Sequence, residues 1–587
     1  MFRLFKNLQA KEWTLFLISF IFIISQVWLD LKLPDYMSEI TKLVQTPGSE
    51  MKDILAAGGS MLLCAFGSLV ASCITALAAS RIAANFSARL RSKLFNKVQS
   101  FSMEEINNFS TASLVTRSTN DVTQVQTFIV MGLQLLIKAP ITAIWALTKI
   151  MNKSWEWTLS TGSAVVILLI VVGVCVMIAM PRFKRIQQLT DNLNRISREN
   201  LNGLSVIRAY NAEGYQEVKF TKANNDLTEN NLYTNSVLAV LMPSISLIMS
   251  GLSLSIYWIG AYLLNEAQMP ERIDIFSNMI VFSSYAMQVL MSFMMLVMVF
   301  IMLPRATVSA KRINEVLDTK PLIKNGNVET SPVGVVGEIE FKNVSFKYTD
   351  GEDYVLENIS FKANRGETIA FIGATGCGKS TLINLIPRFY DVTEGEVLVD
   401  GVNVKDYDQE VLRNKLGYVS QKAVLFEGTV QSNVDFGDNG KAEADIHQVM
   451  DAVNIAQASE FVENMEGTYE AHIAQGGTNL SGGQKQRLSI ARAIARRPEV
   501  LIFDDSFSAL DYKTDRKLRH VLKKETMGTT LLIVAQRIGT IKHADKIIVL
   551  EDGRMVGMGT HSELLSTCEV YQEIAYSQLS KEELANG

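Results

Sequence analysis

The sharpest chemical signal in this sequence of 587 residues is Gly373-Ala374-Thr375-Gly376-Cys377-Gly378-Lys379-Ser380-Thr381. It fits the spacing G-x-x-x-x-G-K-[S/T], with a β-rich run before it and a helical pattern after it. Glycines at those places let backbone N–H groups turn inward around phosphate oxygens at a helix N-terminus. Lys379 then offers a point charge to the outer phosphates of a nucleoside triphosphate such as ATP, and the Ser380 hydroxyl can ligate Mg²⁺. Cys377 reads as filler at a variable loop position rather than as a redox group. A second apolar run, Val500-Leu-Ile-Phe503, ends in Asp504. A buried strand that delivers a carboxylate to a magnesium ion needs that arrangement.

These groups must be positioned by a soluble α/β domain, and the chain from about 338 onward supplies its pattern. Short β-rich runs (Ile339–Phe346, Thr368–Ile372, Val500–Phe503, Thr530–Val534, Lys546–Leu550) alternate there with helical segments. Upstream the texture differs. Six stretches, near 13–34, 54–80, 127–150, 157–180, 233–265 and 274–303, are apolar for the roughly 20 residues a bilayer crossing needs. The expected organisation is a transmembrane domain over 1–318, a linker over 319–337 and the nucleotide domain over 338–587. The fold class is therefore an all-α domain of six long helices followed by an α/β P-loop domain.

Two polar, helix-forming spacers interrupt the spans, at 81–126 and 181–232. They carry Arg81, Arg89, Arg91, Lys93 and Lys97 in the first and Arg182, Lys184 and Arg185 in the second. The other connections lean acidic, with Asp35, Glu39, Glu50 and Asp53 in one and Glu266, Glu271 and Asp274 in another. The positive-inside rule puts both spacers and both termini in the cytoplasm of a cell-membrane, multi-pass protein. Turns near Asn107–Ser110 and Asn211–Gly214 are natural docking points for a cytoplasmic domain. The helix entering the second spacer is expected to pass Pro181, whereas the sixth span is expected to end at Pro304. Met1–Trp13, with Phe2, Leu4, Phe5 and Leu8 among basic residues, suits an amphipathic segment lying on the membrane surface. Lys138, at mid-depth of the third span, is expected to line the substrate path, to pair with a carboxylate of a partner chain, or to snorkel towards the membrane surface. The seven methionines of the sixth span (Met279 to Met302) suit an adaptable apolar cavity.

Composition excludes several classes. Hydrophobic residues make up 48% and charged residues 20%, as expected for a membrane part joined to a soluble part, and the mean hydropathy is +0.15. A net charge of −4 gives nucleic-acid binding no support. The five cysteines are scattered without a C-x-x-C pair, so neither a disulfide framework nor a zinc site is indicated.

Between the phosphate loop and Asp504 lies Leu480-Ser481-Gly482-Gly483-Gln484, and here the chain resembles the ATP-binding-cassette family, whose signature this is. The resemblance covers essentially the whole chain. It implies that Tyr348 stacks on adenine and that Gln421 links the magnesium site to the membrane domain. It also implies that Ser508-Ala-Leu-Asp511 lies where two cassettes meet. Membrane helices first and cassette second is similar to exporters, and Glu199–Glu213 resembles an exporter's second intracellular loop. In that family the signature acts in trans, so Ser481, Gly482, Gly483 and Gln484 would cap ATP held by a second half-transporter. A dimer with two sandwiched nucleotides follows.

Two positions depart from the family pattern. The general-base glutamate after Asp504 is Asp505, and the switch histidine is Gln536. A carboxylate shorter by one methylene sits on the order of 1 Å back, enough to cost about a hundredfold in rate. Glutamine can reach a γ-phosphate but carries no proton or positive charge. The sequence therefore predicts a heterodimer, favoured over a homodimer, in which this chain binds ATP at a weakened catalytic site formed by Lys379, Asp505 and Gln536. The expected cargo is an amphipathic small molecule, drug-like or lipid-like, and the compact half-size format resembles bacterial exporters. The alternatives are a homodimeric exporter of lipids or peptides and an ATP-gated regulatory or channel subunit. No protease domain precedes Met1–Trp13 and no long regulatory insert separates the domains, so neither peptide export nor gating is favoured.

Overall fold

The computed structural model describes Arg3 and residues 8–46, 48–151, 155–330, 334, 336–349, 351–438, 440 and 445–578. The surface segment expected around Phe2, Leu4 and Phe5 lies outside the described residues, as do 331–333 and 335 of the linker. The chain forms two compact units. One comprises Met1–Gln99 and Ser110–Thr319, the other Ser100–Phe109 and Lys320–Gly587.

The first unit is built from α1 (Ala10–Gln45), α2 (Met51–Gln99), α4 (Val122–Met151), α5 (Trp155–Asn202), α6 (Glu213–Ala239), α7 (Leu241–Glu266) and α8 (Met269–Asp318); the short α3 (Met103–Phe109) belongs to the second unit. Six helical stretches in it are long and apolar enough to cross a membrane. Only helices can do so, because hydrocarbon offers no partner for a backbone N–H or C=O. At 49 residues α2 is about 70 Å long, more than twice the roughly 30 Å hydrocarbon thickness, so its Arg- and Lys-bearing half extends beyond the membrane.

Proline did not act as the sequence suggested at one place. Helix α5 continues through Pro181, as expected, but α8 also continues through Pro304 to Asp318. A proline removes one i→i−4 bond, and a long helix with the rest of its ladder intact tolerates that loss. The core of this unit is apolar and close-fitting. Tyr285, Phe282 and Val289 of α8 are wholly buried against Leu31, Val27 and Ile23 of α1 and Trp157 of α5. Met279 packs so closely on Gly260 that a Cβ there would stand 2.4 Å from its sulfur. That methionine is therefore a packing knob, whereas Met291 and Met298 are exposed on the same helix.

Helix α3 (Met103–Phe109) is the turn-around of the first spacer, and it groups with the cassette. Glu105, almost fully buried, explains the attachment. Its carboxylate accepts from Ser102 N at 2.6 Å, Ser102 Oγ at 2.5 Å and Leu322 N at 2.8 Å. Ser110, at φ 58°, ends the excursion, and Asn211, at φ 50°, makes the corresponding bend in the second spacer. Such left-handed conformations are tolerated by short polar side chains.

The cassette is layered α/β. A sheet of four strands runs in the order β2 (Leu356–Ala363), β1 (Ile339–Phe346), β4 (Glu394–Val399), β5 (Val402–Asn403). A sheet of six runs β10 (Arg554–Gly559), β9 (Lys546–Glu551), β3 (Thr368–Gly373), β8 (Thr530–Val534), β7 (Val500–Asp504), β6 (Leu416–Val419). Strands β9, β3, β8, β7 and β6 are parallel, with β6 at one edge. All five residues of β7 and all five of β8 are buried, as strands covered on both faces must be. Parallel strands put their carboxyl ends along one edge, and that edge carries the chemistry.

Glu105→Ala removes three acceptor contacts at a buried site, each worth about 1 kcal/mol. It should raise amide exchange across 103–109 about tenfold or more while leaving β3, β7 and β8 protected. Hydrogen-exchange mass spectrometry on the full chain checks this.

Candidate nucleotide site

Strand β3 delivers the phosphate loop. Gly373 cannot carry a side chain, since a Cβ would meet Leu550 O at 2.1 Å. Gly378 adopts φ 92° and would press on Leu356 Cδ2 at 2.8 Å and Val355 O at 2.9 Å. Only glycine accommodates both the crowding and the left-handed turn that opens α9 (Lys379–Asn384). Gly376, at φ 91°, faces open space on the loop's outer side.

Lys379 is buried, and its ammonium donates to Gly373 O at 2.9 Å and Ala374 O at 2.7 Å. The lysine is folded across its own loop, its charge held where phosphate oxygens can replace those carbonyls. Thr375 and Cys377 occupy the loop between, and Cys377 is buried against the glycine backbone, as filler should be. Ser380 Oγ donates to Asp504 Oδ1 at 2.8 Å. These two oxygens, one from α9 and one from the end of β7, suit Mg²⁺, a hard cation usually held by one or two protein oxygens plus phosphate oxygens. No cluster of three His, Cys, Asp or Glu groups gathers elsewhere among the described residues.

Asp505 follows at φ 46°, nearly buried, and its Oδ2 accepts two amide donors. Gln536 Nε2 lies at 2.8 Å and Gln421 Nε2 at 3.3 Å. Two residues from separate elements, the loop after β6 and the loop after β8, thus converge on one carboxylate oxygen at the end of β7. Burial pushes both carboxyls up from the usual range. For Asp504, Ser380 and the Lys379 charge pull back, while the Asp505 charge adds to the rise. For Asp505, Gln421, Lys379, Gln536 and Ser508 all pull back.

Tyr348 lies beyond β1, with its hydroxyl 3.0 Å from Thr381 Oγ1 and its ring edge-on to Phe346 and Tyr390. It is 37% exposed, leaving a face free for a flat ring. The next residue, Thr349, donates to Glu104 of α3, and Asn107 of α3 donates to Tyr390 Oη at 3.5 Å. A cavity of about 180 Å³ lined by Ser102, Glu104, Tyr348 and Tyr390 lies between them.

The signature residues stand apart. Ser481 caps α10 (Gly482–Ala495): its backbone N–H donates to Gln484 Oε1 at 2.8 Å, and its Oγ accepts from Gln484 N at 3.4 Å. Among the described residues these four share no hydrogen bond with the phosphate loop. A Cβ on Gly482 would meet nothing within 4 Å, so the first turn of α10 is open on that side. Ser508 Oγ donates to Asp505 O at 2.8 Å, and Asp511 accepts from Thr514 N at 2.9 Å.

Sequence reasoning missed three supports. Gln578, near the chain's end, donates to Gln536 O at 2.7 Å and accepts from Ile538 N at 2.9 Å, which fixes the loop that carries Gln536. Tyr418 Oη donates to Asn384 Oδ1 at 2.9 Å, joining β6 to α9. Ser506 Oγ donates to Val419 O at 3.0 Å and holds β6 beside β7. None has a local pattern; each is a polar residue whose partner is distant in sequence.

Comparison with known proteins agrees with this geometry. Residues 356–508 match the family described as ABC transporter, and residues 16–293 match the ABC transporter transmembrane region. An uncharacterized ABC transporter ATP-binding protein of Mycobacterium tuberculosis is 38% identical over 467 residues, 79% of each chain. One from Bacillus subtilis is 36% identical over 473 residues, 80% of each. An ATP-dependent lipid A-core flippase of Pseudomonas fluorescens is 32% identical, covering 78% of this chain and 75% of that one. A bacterial Atm1-family ABC exporter solved with ATP bound shares the fold, with a TM-score of 0.80 at 22% identity, over 96% of this chain and 98% of that one.

If Lys379 is the phosphate clamp, Lys379→Met should weaken Mg-ATP binding about a hundredfold, the loss expected for a charge-assisted contact of about 3 kcal/mol. Cys377→Ser should leave affinity within about threefold. Fluorescent-nucleotide titration of the purified protein distinguishes the two.

Proposed function

The chain belongs to the ABC transporter family, as a half-transporter that couples ATP hydrolysis to transport with a second subunit, and we propose that it is the slow-hydrolysing half of a heterodimeric exporter of amphipathic small molecules. The observation that carries this reading is the Asp505 carboxylate. Its Oδ2 is held by two amide N–H donors, from Gln536 and Gln421. A general base needs its lone pair aimed at the attacking water, and these two donors fix the carboxylate's orientation through Oδ2, with Oδ1 left open among the described residues. Asp505 is shorter than glutamate by a methylene, and the residue that would orient the γ-phosphate instead occupies its oxygen.

Binding is not weakened in the same way. The loop from Gly373 to Thr381, with Lys379, Ser380 and Asp504, would hold ATP and Mg²⁺. The bound ion would neutralise charge that develops between the outer phosphates. Lys379 would stabilise the phosphate oxygens, Tyr348 would seat the adenine, and Gln421 would report occupancy towards the membrane unit. Ser481, Gly482, Gly483 and Gln484, at the open first turn of α10, would close over ATP held by the partner. Firm binding at one site and turnover at the other gives an asymmetric pump, with both termini of this chain on the cytoplasmic side. Amphipathic cargo is supported by the exposed Met291 and Met298 of α8 and by the name of the flippase relative.

In the reconstituted transporter, Asp505→Asn should lower ATP turnover less than about threefold, whereas amidating the partner's equivalent base should lower it about a hundredfold or more. Equal losses would contradict the reading. So would a lone chain whose dimer hydrolyses ATP vigorously until Asp505→Asn abolishes it.

A further inference from the structure

The membrane unit contains a polar layer between α1, α2, α4 and α8 that the nucleotide chemistry does not use. Lys138 Nζ of α4 lies 3.2 Å from Asp30 Oδ2 of α1, so its partner is a carboxylate of its own chain rather than one of a partner chain. Further along the same two helices, Lys149 Nζ meets Asp35 Oδ2 at 2.8 Å. The remaining carboxylate oxygens are taken as well. Ser68 of α2 donates to Asp30 Oδ1, and Tyr285 of α8 donates to Asp35 Oδ1 at 2.6 Å. Lys32 lies over the Trp28 ring at 5.8 Å, near enough to Asp35 for its charge to act there.

Donors and acceptors do not balance here. All four carboxylate oxygens have a donor or a cation, but Lys138 makes no hydrogen bond among the described residues and its side chain is 26% exposed. An ammonium has three donors and no acceptor. One turn along α4, on the same face, Thr142 is buried and its hydroxyl has no hydrogen-bond partner. Pro140 lies between them and frees a backbone carbonyl of the preceding turn. Across on α8, Gln288 Nε2 reaches Asp30 O at 3.5 Å, while its Oε1 is buried without a donor. Polar groups left unsatisfied at membrane depth are costly and mark a site. Lys138 lies 13 residues from the end of α4, about 20 Å along the helix, so it is no interfacial residue that could simply reach for water.

We propose that Lys138 and Thr142 form a subsite for the anionic headgroup of an amphiphile, a phosphate, sulfonate or carboxylate on an apolar tail. Lys138 supplies charge and N–H donors, and Thr142 supplies an O–H donor. Asp30 and Ser68 are positioning residues that hold the lysine inward when no cargo is bound. An anion fits because each carboxylate oxygen already has a donor or a cation, whereas the Lys138 ammonium, with three N–H donors, meets one carboxylate oxygen; the uncommitted Gln288 Oε1 can accept an O–H of the same headgroup. Exposed Met291, one turn from Gln288, offers the tail an adaptable apolar surface. This inference rests on the reading of the chain as an exporter of amphipathic molecules and names the charge of its cargo.

The test uses the whole transporter, this chain with its partner half, in phosphatidylcholine nanodiscs. ATPase stimulation is titrated with oleoyl-lysophosphatidic acid, oleoyl taurine, oleoyl-lysophosphatidylcholine and rhodamine 6G. Wild type should respond to an anionic probe at concentrations about tenfold lower than to the zwitterion. Response to both anions identifies a general headgroup site, and response to lysophosphatidic acid alone identifies a phospholipid one. Lys138→Met should raise the half-stimulating concentration of the anion about tenfold, Thr142→Val about threefold, and Lys138→Arg less than about threefold, with rhodamine 6G unmoved. Asp30→Asn should leave the anion response intact or sharpen it, which a purely structural ion pair would not allow. If rhodamine 6G stimulates but anions do not, or if Lys138→Met and Asp30→Asn are equally damaging to every probe, the subsite is wrong and the exporter reading stands. If no amphiphile of any charge stimulates, the exporter reading fails and takes the subsite with it.

Discussion

Ser380 Oγ and Asp504 Oδ1, 2.8 Å apart, tie the phosphate loop to the end of a wholly buried strand, and the cassette is arranged around that contact. A triphosphate carries several negative charges, and a protein can hold it only with a dense set of donors whose geometry is fixed beforehand. Parallel strands fix it by ending side by side. The glycine turn follows β3, the acid ends β7, and the loop after β8 brings Gln536 to Asp505. Burial that raises both carboxyls is the electrostatic counterpart of this arrangement. The site is organised for a cation and an anionic ligand.

The same physics recurs in the membrane unit with the signs exchanged. There, charges must be neutralised because hydrocarbon cannot solvate them, and Asp30 and Asp35 are each met by a lysine and a hydroxyl. In both places what is left over, rather than what is paired, points to a ligand. The folded-back Lys379 occupies backbone carbonyls that a phosphate can outbid; Lys138 meets one carboxylate oxygen with three N–H donors to offer, and the Thr142 hydroxyl has no partner among the described residues.

What could be read from sequence was what depends on contiguous residues. The phosphate loop is a backbone device, so its glycines, lysine and hydroxyl stand in one run. A span needs about 20 apolar residues in succession, so six were visible. The nonstandard Asp505 and Gln536 were legible because a family pattern supplied the expected types. Their hydrogen bond was not, because 31 positions separate them and only the sheet order brings them together. The same holds for Gln578, and for Glu105, whose bond to Leu322 assigns α3 to the cassette across 217 positions. Lys138 was noticeable as a charge at depth, yet its partner Asp30 sat at the edge of another span and drew no attention. Pro304 misled because proline's usual effect on helices in water was applied to a long membrane helix.

The central claim is that this chain's site holds ATP without consuming it while its partner's site turns over. The most direct measurement is to photocrosslink radiolabelled azido-ATP into the working heterodimer during steady-state turnover and to identify the nucleotide bound to each half. The account predicts mostly triphosphate on this chain and mostly diphosphate on the partner. Diphosphate in equal proportion on both halves would contradict it.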